Sequence, residues 1–178
     1  MTLRLCTIGH STRTLEEFTE ILESHGITTV VDIRRIPGSA HCPQFDADTL
    51  ARHLGGHGME LRRLEALTGR RGVSCTIPFE VNAWWRNRSF HNYADHALSA
   101  PFRSDLSQVR DWGARTPTVL MCAEAVWWRC HRRIIADHLL AQGDEVLHIL
   151  DLHHCDPARL SEGARIAPGP DHQVTYPA

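Results

Sequence analysis

One short segment concentrates the reactive side chains of this chain: Cys122-Ala123-Glu124-Ala125-Val126-Trp127-Trp128-Arg129-Cys130-His131-Arg132-Arg133. Two thiols, a carboxylate, an imidazole and several guanidiniums so close together support three kinds of chemistry. Cys122 or Cys130 can act as a nucleophile, with Glu124 as the acid–base group and His131 as a proton shuttle. The two thiols can instead form a redox pair. With His131 they also make a nitrogen and sulfur donor set of the kind zinc or iron accepts. Their spacing is wider than the short C-x₂₋₄-C clip of structural zinc sites, so a metal stays one alternative among the three.

Two further polar clusters can join this one. His10-Ser11 offers a second proton shuttle and a hydroxyl contact to substrate, and Asp32 with Arg34 and Arg35 offers a second acid–base carboxylate beside anion-binding guanidiniums. Cys130 is expected in the first turn of a helix, where the partial positive charge and neighbouring arginines favour a thiolate. The free N–H groups of that turn, together with Arg132 and Arg34, would form an anion site. Trp84-Trp85 and Trp127-Trp128 are aromatic doublets in loop regions; Trp84 is a candidate for stacking on a planar ring, and core filling is the alternative for both doublets. Arg70-Arg71, in a glycine-bracketed turn, is either a phosphate contact or a solvated surface pair.

Elements that would hold these clusters together can be read from periodicity. Leu3–Ile8 reads as a strand running into Gly9-His10-Ser11, and Thr14-Leu15-Glu16-Glu17 fits a capping box for a helix whose apolar face is Leu15, Phe18, Ile21 and Leu22. Thr28–Ile33 is rich in β-branched residues and completes a strand–helix–strand unit with parallel pairing and a right-handed crossover. A helix opened by Asp46 and closed by Gly55-Gly56 follows, then an irregular stretch from Gly69 to Arg88, and helical segments near Asn92–Leu98 and Ser104–Trp112. Thr118–Cys122 is a short apolar run of the type buried on both faces of a sheet. A helix from about Arg129 to Gln142 and a strand at Glu145–Leu150 close the core. The expected class is α/β: one domain over residues 1–150, a mostly parallel open sheet with flanking helices in a Rossmann-like three-layer arrangement. Residues 151–178, with four prolines and little periodicity, read as a loosely ordered C-terminal extension. In open parallel sheets ligands bind at the carboxyl ends of the strands, and His10-Ser11, Asp32-Arg34 and Cys122-Glu124 all fall there.

Composition narrows the functions further. With 178 residues, 42% hydrophobic and 22% charged, the chain has the size and apolar content of one globular domain. No apolar run reaches the ~18 residues of a spanning helix, and the opening residues turn polar too early for a secretory segment. Six cysteines in that setting are expected as reduced thiols of a cytoplasmic protein. A formal net charge of -2 supplies no global field toward nucleic acid or membrane, and no sequence-specific nucleic-acid motif is present. All 19 basic residues are arginine, which removes Schiff-base and P-loop lysine chemistry. The 13 histidines make net charge responsive between about pH 6 and 7.

Several separate blocks, in order, resemble the domain of unknown function 488 family. They are Thr7-Ile8-Gly9-His10-Ser11, Val31-Asp32-Ile33-Arg34, Pro37-Gly38-Ser39, Trp84-Trp85-Arg86-Asn87, Tyr93-Ala94-Asp95 and Leu120-Met121-Cys122-Ala123-Glu124. Cys130-His131-Arg132 and Ile135-Ala136-Asp137 complete the series, and the resemblance spans roughly residues 3–150. Two positions depart from it: Trp127 stands where proline is expected, and Arg133 where a small hydroxyl residue is usual. The resemblance implies a small cytosolic α/β protein and supplies no activity, substrate or catalytic residue. From the residues, the expectation is an enzyme acting on a small anionic molecule, phosphate-bearing or nucleotide-like. The alternatives are a zinc or iron protein using Cys122, Cys130 and His131, and a non-catalytic thiol redox sensor or binding module.

Overall fold

The computed structural model describes residues 1–178. Its core is a six-stranded sheet, built from β1 (Arg4–Gly9), β2 (Thr29–Asp32), β3 (Glu60–Arg63), β4 (Thr118–Cys122), β5 (Glu145–Ile149) and β6 (Cys155–Pro157). The spatial order is β3-β2-β4-β1-β5-β6, parallel throughout except for the antiparallel edge strand β6. Five helices flank it: α1 (Leu15–Ser24), α2 (Ala47–Gly56), α3 (Arg88–His96), α4 (Ala100–Gly113) and α5 (Arg132–Ala141).

Strand alternation divides the apolar side chains between two faces. Val30, Val119, Met121 and Ile8 meet Phe18 and Leu22 of α1 and Leu50 and Leu54 of α2 on one side. Leu5, Val31, Leu120 and Val146 meet residues of α3, α4 and α5 on the other, among them Tyr93, Phe102, Leu106, Ile135 and Leu139. The result is a three-layer α/β fold. Local chemistry starts and stops its helices: Thr14 and Glu17 form the capping box, Asn87 accepts from the N–H groups of Ser89 and Phe90, and Ser99 accepts from that of Phe102.

The connection leaving β1 packs α1 on one face, and that leaving its neighbour β4 packs α5 on the opposite face. Adjacent strands whose chains depart to opposite faces leave a crevice at their carboxyl ends. His10, Ser11, Cys122 and Glu124 follow these two strand ends directly.

Several features differ from the reading of the sequence. β1 and β2 run parallel but do not pair with each other, because β4 inserts between them, and α4 begins at Ala100 rather than Ser104, with Ser99 as its cap. β3 is a strand of Glu60-Leu61-Arg62-Arg63, whose edge position tolerates charge that a central strand would not. Helix α3 begins four residues earlier than the periodicity suggests, because Asn87 supplies the cap. Helix α5 begins at Arg132, since a 3₁₀ turn takes up Trp127–Arg129. Lastly, residues 151–178 are not a loose extension. They contribute β6 and a short hairpin, β7 (Arg165–Ile166) with β8 (Val174–Thr175), and bury Val174 and Tyr176 completely. Asp137 holds this segment by accepting from the Ser161 N–H at 2.9 Å and the Tyr176 hydroxyl at 2.8 Å.

Candidate functional site

The crevice opens as a cleft of about 810 Å³, within the size range of small-molecule sites. His10 and Ser11 line it after β1, Arg34 and Arg35 after β2, Cys122 and Glu124 after β4, and Arg129, Cys130 and His131 before α5. Gly69, Arg70, Asn87, Ser89, Phe90 and Tyr93 close the far wall.

Cys122 ends β4, and its thiol lies well below the ordinary range of a cysteine. The leading cause is a hydrogen bond from the Cys130 thiol; His131 and the Glu124 backbone N–H add to it against the opposing cost of burial. Cys130 shifts the other way, well above the ordinary range, because its proton is engaged by Cys122 and because it is buried. Cys130 is therefore not the helix-activated thiolate the sequence suggests. It sits in extended backbone (φ −120°, ψ 147°) between the 3₁₀ turn and α5. The mutual hydrogen bond biases the pair toward a thiolate on Cys122, which lines the cleft.

His131 is oriented by its own two contacts. Its Nε2 lies 3.1 Å from the Ile33 carbonyl, which can only accept, so Nε2 carries a proton and Nδ1 faces Cys130 Sγ at 3.6 Å. The back of the ring rests on Gly69, where a Cβ would stand 2.8 Å from Nδ1. A cation could be held here: Cys122 Sγ, Cys130 Sγ and a His131 ring nitrogen lie within 4.8 Å of one another. His10 belongs to a different network. It stacks on Phe45 at 4.1 Å, points Nδ1 at the Ser11 carbonyl and Nε2 at Arg34 Nη1, and burial lowers its pKa.

The carboxylate after β2 and the first of its two arginines are committed to one another. Asp32 accepts from Arg34 Nε at 2.9 Å and Nη2 at 2.7 Å, and Arg34 Nη1 donates to the Phe45 carbonyl at 2.8 Å. Both partners are buried, and Asp32 does not reach the cleft, so it serves to hold Arg34 rather than as an acid–base group. Arg132 is likewise a correction. Its guanidinium is buried and donates to the Glu124 and Ala125 carbonyls, bracing the loop after Cys122 instead of meeting a ligand. Trp84 lies away from the cleft, against Gly163, Tyr176 and the Arg133 guanidinium. Glu124 stays at the rim, exposed, with Oε1 accepting from the Val126 N–H.

Free positive charge comes from arginines the sequence singled out only weakly. Arg35 is exposed and pairs with Glu65 across 3.7 Å. Arg70 and Arg129 are exposed on the cleft with no carboxylate within ion-pair distance. Arg70 has φ +56° and Ser11 φ +53°, two of only three non-glycine residues in the left-handed region, and both line the cleft. Such strain, of order 1–3 kcal/mol each, concentrates at functional sites. Arg129 was legible only as part of the dense segment; nothing in the sequence marks Gly69 or Tyr93 as neighbours of His131.

Residues 14–139, more than half of the chain, match the family described as domain of unknown function DUF488. This chain belongs to that family. The matched span includes Asp32, Arg34, Cys122, Glu124, Cys130 and His131 but begins after His10 and Ser11. No curated protein and no solved structure matches the chain. No helix is long and apolar enough to cross a membrane. The two departures from the family pattern have local uses in this DUF488 member. Trp127 stacks on His148 at 4.5 Å, and Arg133 lies over Trp85 at 5.1 Å while donating to Ser161 Oγ, which ties α5 to the C-terminal segment.

Proposed function

We propose that this DUF488 protein is a cysteine-dependent enzyme acting on an anionic, phosphate-bearing or nucleotide-like substrate. One observation carries the reading: a thiol biased to the thiolate lies on the floor of an open cleft whose unpaired charges are Arg70 and Arg129. Anionic groups of the substrate pair with Arg70 and Arg129, and Arg35 contributes from the rim. Cys122 Sγ attacks the electrophilic centre, forming a covalent thioester or thiophosphate linkage as the bond to the leaving oxygen breaks. His131 Nδ1, when protonated, gives that oxygen its proton. Water then attacks the intermediate while Glu124 takes a proton from it, the bond to sulfur breaks, and the Cys122 thiolate returns. Solvent carries the proton from Glu124 back to His131.

The test is a set of activated phosphomonoesters and acyl phosphates, followed by intact-mass measurement on rapidly quenched protein. The expected result is an adduct on Cys122, absent in Cys122→Ser and formed more slowly when inorganic phosphate competes. Turnover surviving in Cys122→Ser would overturn the reading. A zinc or iron centre on Cys122, Cys130 and His131 is the competing reading, supported by the mutual approach of their donor atoms. It predicts stoichiometric metal in protein purified without a metal-affinity tag, lost in both cysteine variants.

A further inference from the structure

Three thiols line the cleft, and one of them, Cys130, is the only buried cysteine of the six. Cys122 and Cys130 both line the cleft, Cys130 the more deeply buried of the two, with their sulfurs within 4.8 Å. Cys42, the remaining cleft-lining thiol, is turned to the Ser11 carbonyl at 3.7 Å. Cys6, Cys75 and Cys155 lie outside the cleft.

Backbone context places Cys130 outside the regular helix. It follows the 3₁₀ turn Trp127–Arg129 and precedes α5, so its side chain can rotate toward Cys122 without unwinding a helical turn. Closing the gap to the ~2.05 Å of a disulfide asks for a displacement of one side chain in a loop. A cleft-lining thiol with a second, more buried thiol within 4.8 Å of it matches the arrangement of a peroxidatic cysteine and its resolving partner.

We infer that Cys122 reacts with small hydroperoxides and that Cys130 resolves the product, so that the pair cycles between dithiol and disulfide. The Cys122 thiolate attacks one oxygen of the peroxide; the S–O bond forms, the O–O bond breaks, and the departing oxygen leaves as water or an alcohol after protonation. Cys122 is then a sulfenic acid. Attack by the Cys130 sulfur forms the S–S bond, breaks the S–O bond and releases water, and the Cys130 proton goes to that leaving oxygen. Peroxide is reduced by two electrons, and the two thiols supply them. A dithiol reductant such as a thioredoxin-type protein restores the pair. Because the disulfide consumes the nucleophile, the same step switches off the group transfer proposed above; the inference rests on that reading only for this consequence.

The experiment treats full-length reduced protein with stoichiometric hydrogen peroxide, alkylates the remaining thiols, and maps disulfides by peptide mass. A Cys122–Cys130 linkage, with intact mass lower by two hydrogens and reversed by a dithiol, is the expected result. In Cys130→Ser the oxidation stalls, and Cys122 accumulates as a sulfenic acid captured by dimedone. If Cys130→Ser does not fold, the wild-type peptide map decides alone. A Cys122–Cys42 or intermolecular linkage, or Cys122 passing straight to sulfinic acid in the wild type, would overturn the inference. Failure here leaves the adduct test on reduced protein untouched, and a disulfide without any ester adduct would remove the proposed group transfer alone.

Discussion

The two halves of the cleft carry similar residue types and use them in opposite ways. After β2, Asp32 and Arg34 close a network with His10 from the end of β1: the carboxylate takes two bonds from one guanidinium, whose third nitrogen is spent on a carbonyl and the imidazole. After β4, Cys122, Cys130 and His131 also contact one another, but the group they bias toward charge faces open space. Closed polar networks rigidify a fold, and reactivity appears where a network leaves one member facing solvent. A carboxylate or arginine at a strand end is thus no guide to chemistry until its partners are known.

The sharpest way to break this contrast is to separate stability from reactivity. Removing Arg34 (Arg34→Ala) strips the buried Asp32 of its bidentate partner, leaving only the backbone N–H of residue 34 and Arg63 Nη1 at 4.0 Å, and is expected to cost about 3 kcal/mol. Cys122→Ser changes stability far less while abolishing thiol reactivity in the cleft. Denaturant titration beside alkylation kinetics checks both, and the contrast fails if the two substitutions show the same profile.

A smaller loss is expected at Gly9, where a Cβ would fall 1.8 Å from the Glu124 carbonyl oxygen. Gly9→Ala must push β1 and the loop after Cys122 apart, at about 1–3 kcal/mol or more. Because this loop carries both the Glu124 N–H and the Cys122 backbone, its thermal midpoint and its thiol reactivity fall together. A variant that loses stability but keeps wild-type reactivity would detach the loop from the thiol.

Buried histidines give a third contrast, at His138 of α5 and His148 of β5. His138 and His148 are buried neutral, with burial as the leading cause, and their pKa values are lowered to about 3 and about 4. Unfolded, each returns to about 6.5. Their stabilising contribution is therefore fully present above about pH 6.5 and is lost as pH falls through the window down to 4 and 3. Melting midpoints should drop across that range. His138→Leu, which also removes a buried ring nitrogen without a hydrogen-bond partner, should shallow the drop; an unchanged slope would contradict the assignment.

The smallest effects belong to the rim. Arg70→Ala and Arg129→Ala should each weaken inorganic phosphate or nucleoside monophosphate binding about tenfold, equivalent to roughly 1.4 kcal/mol, with unchanged melting. Equal binding by wild type and the double variant would move the anion site elsewhere.

What was legible in the sequence follows the range of the interactions. The capping box at Thr14 and Glu17 and the apolar run Thr118–Cys122 are local signals, and each marks an element that forms; the strand–helix–strand unit also forms its strands and helix, but β4, from far along the chain, separates the two strands that local reading would pair. β3 escaped because an edge strand needs only one apolar face, and Glu60-Leu61-Arg62-Arg63 shows little of it. The C-terminal segment escaped because what orders it is contact across the chain, Tyr176 and Ser161 with Asp137, and no period records that. At the cleft, the dense segment pointed to the correct loop. The role of each residue depended on partners that spacing does not reveal: the Ile33 carbonyl just after β2 for His131, and the Glu124 and Ala125 carbonyls of the loop after β4 for Arg132.

The central claim is that Cys122 holds the negative charge of the thiol pair. Ultraviolet thiolate absorption against pH, on reduced and chelator-treated full-length protein, tests it most directly. Wild type should show one thiolate forming well below the ordinary cysteine value of about 8.5. That step should be missing in Cys122→Ser and moved upward in His131→Phe. Superimposable profiles for wild type and Cys122→Ser would contradict the account.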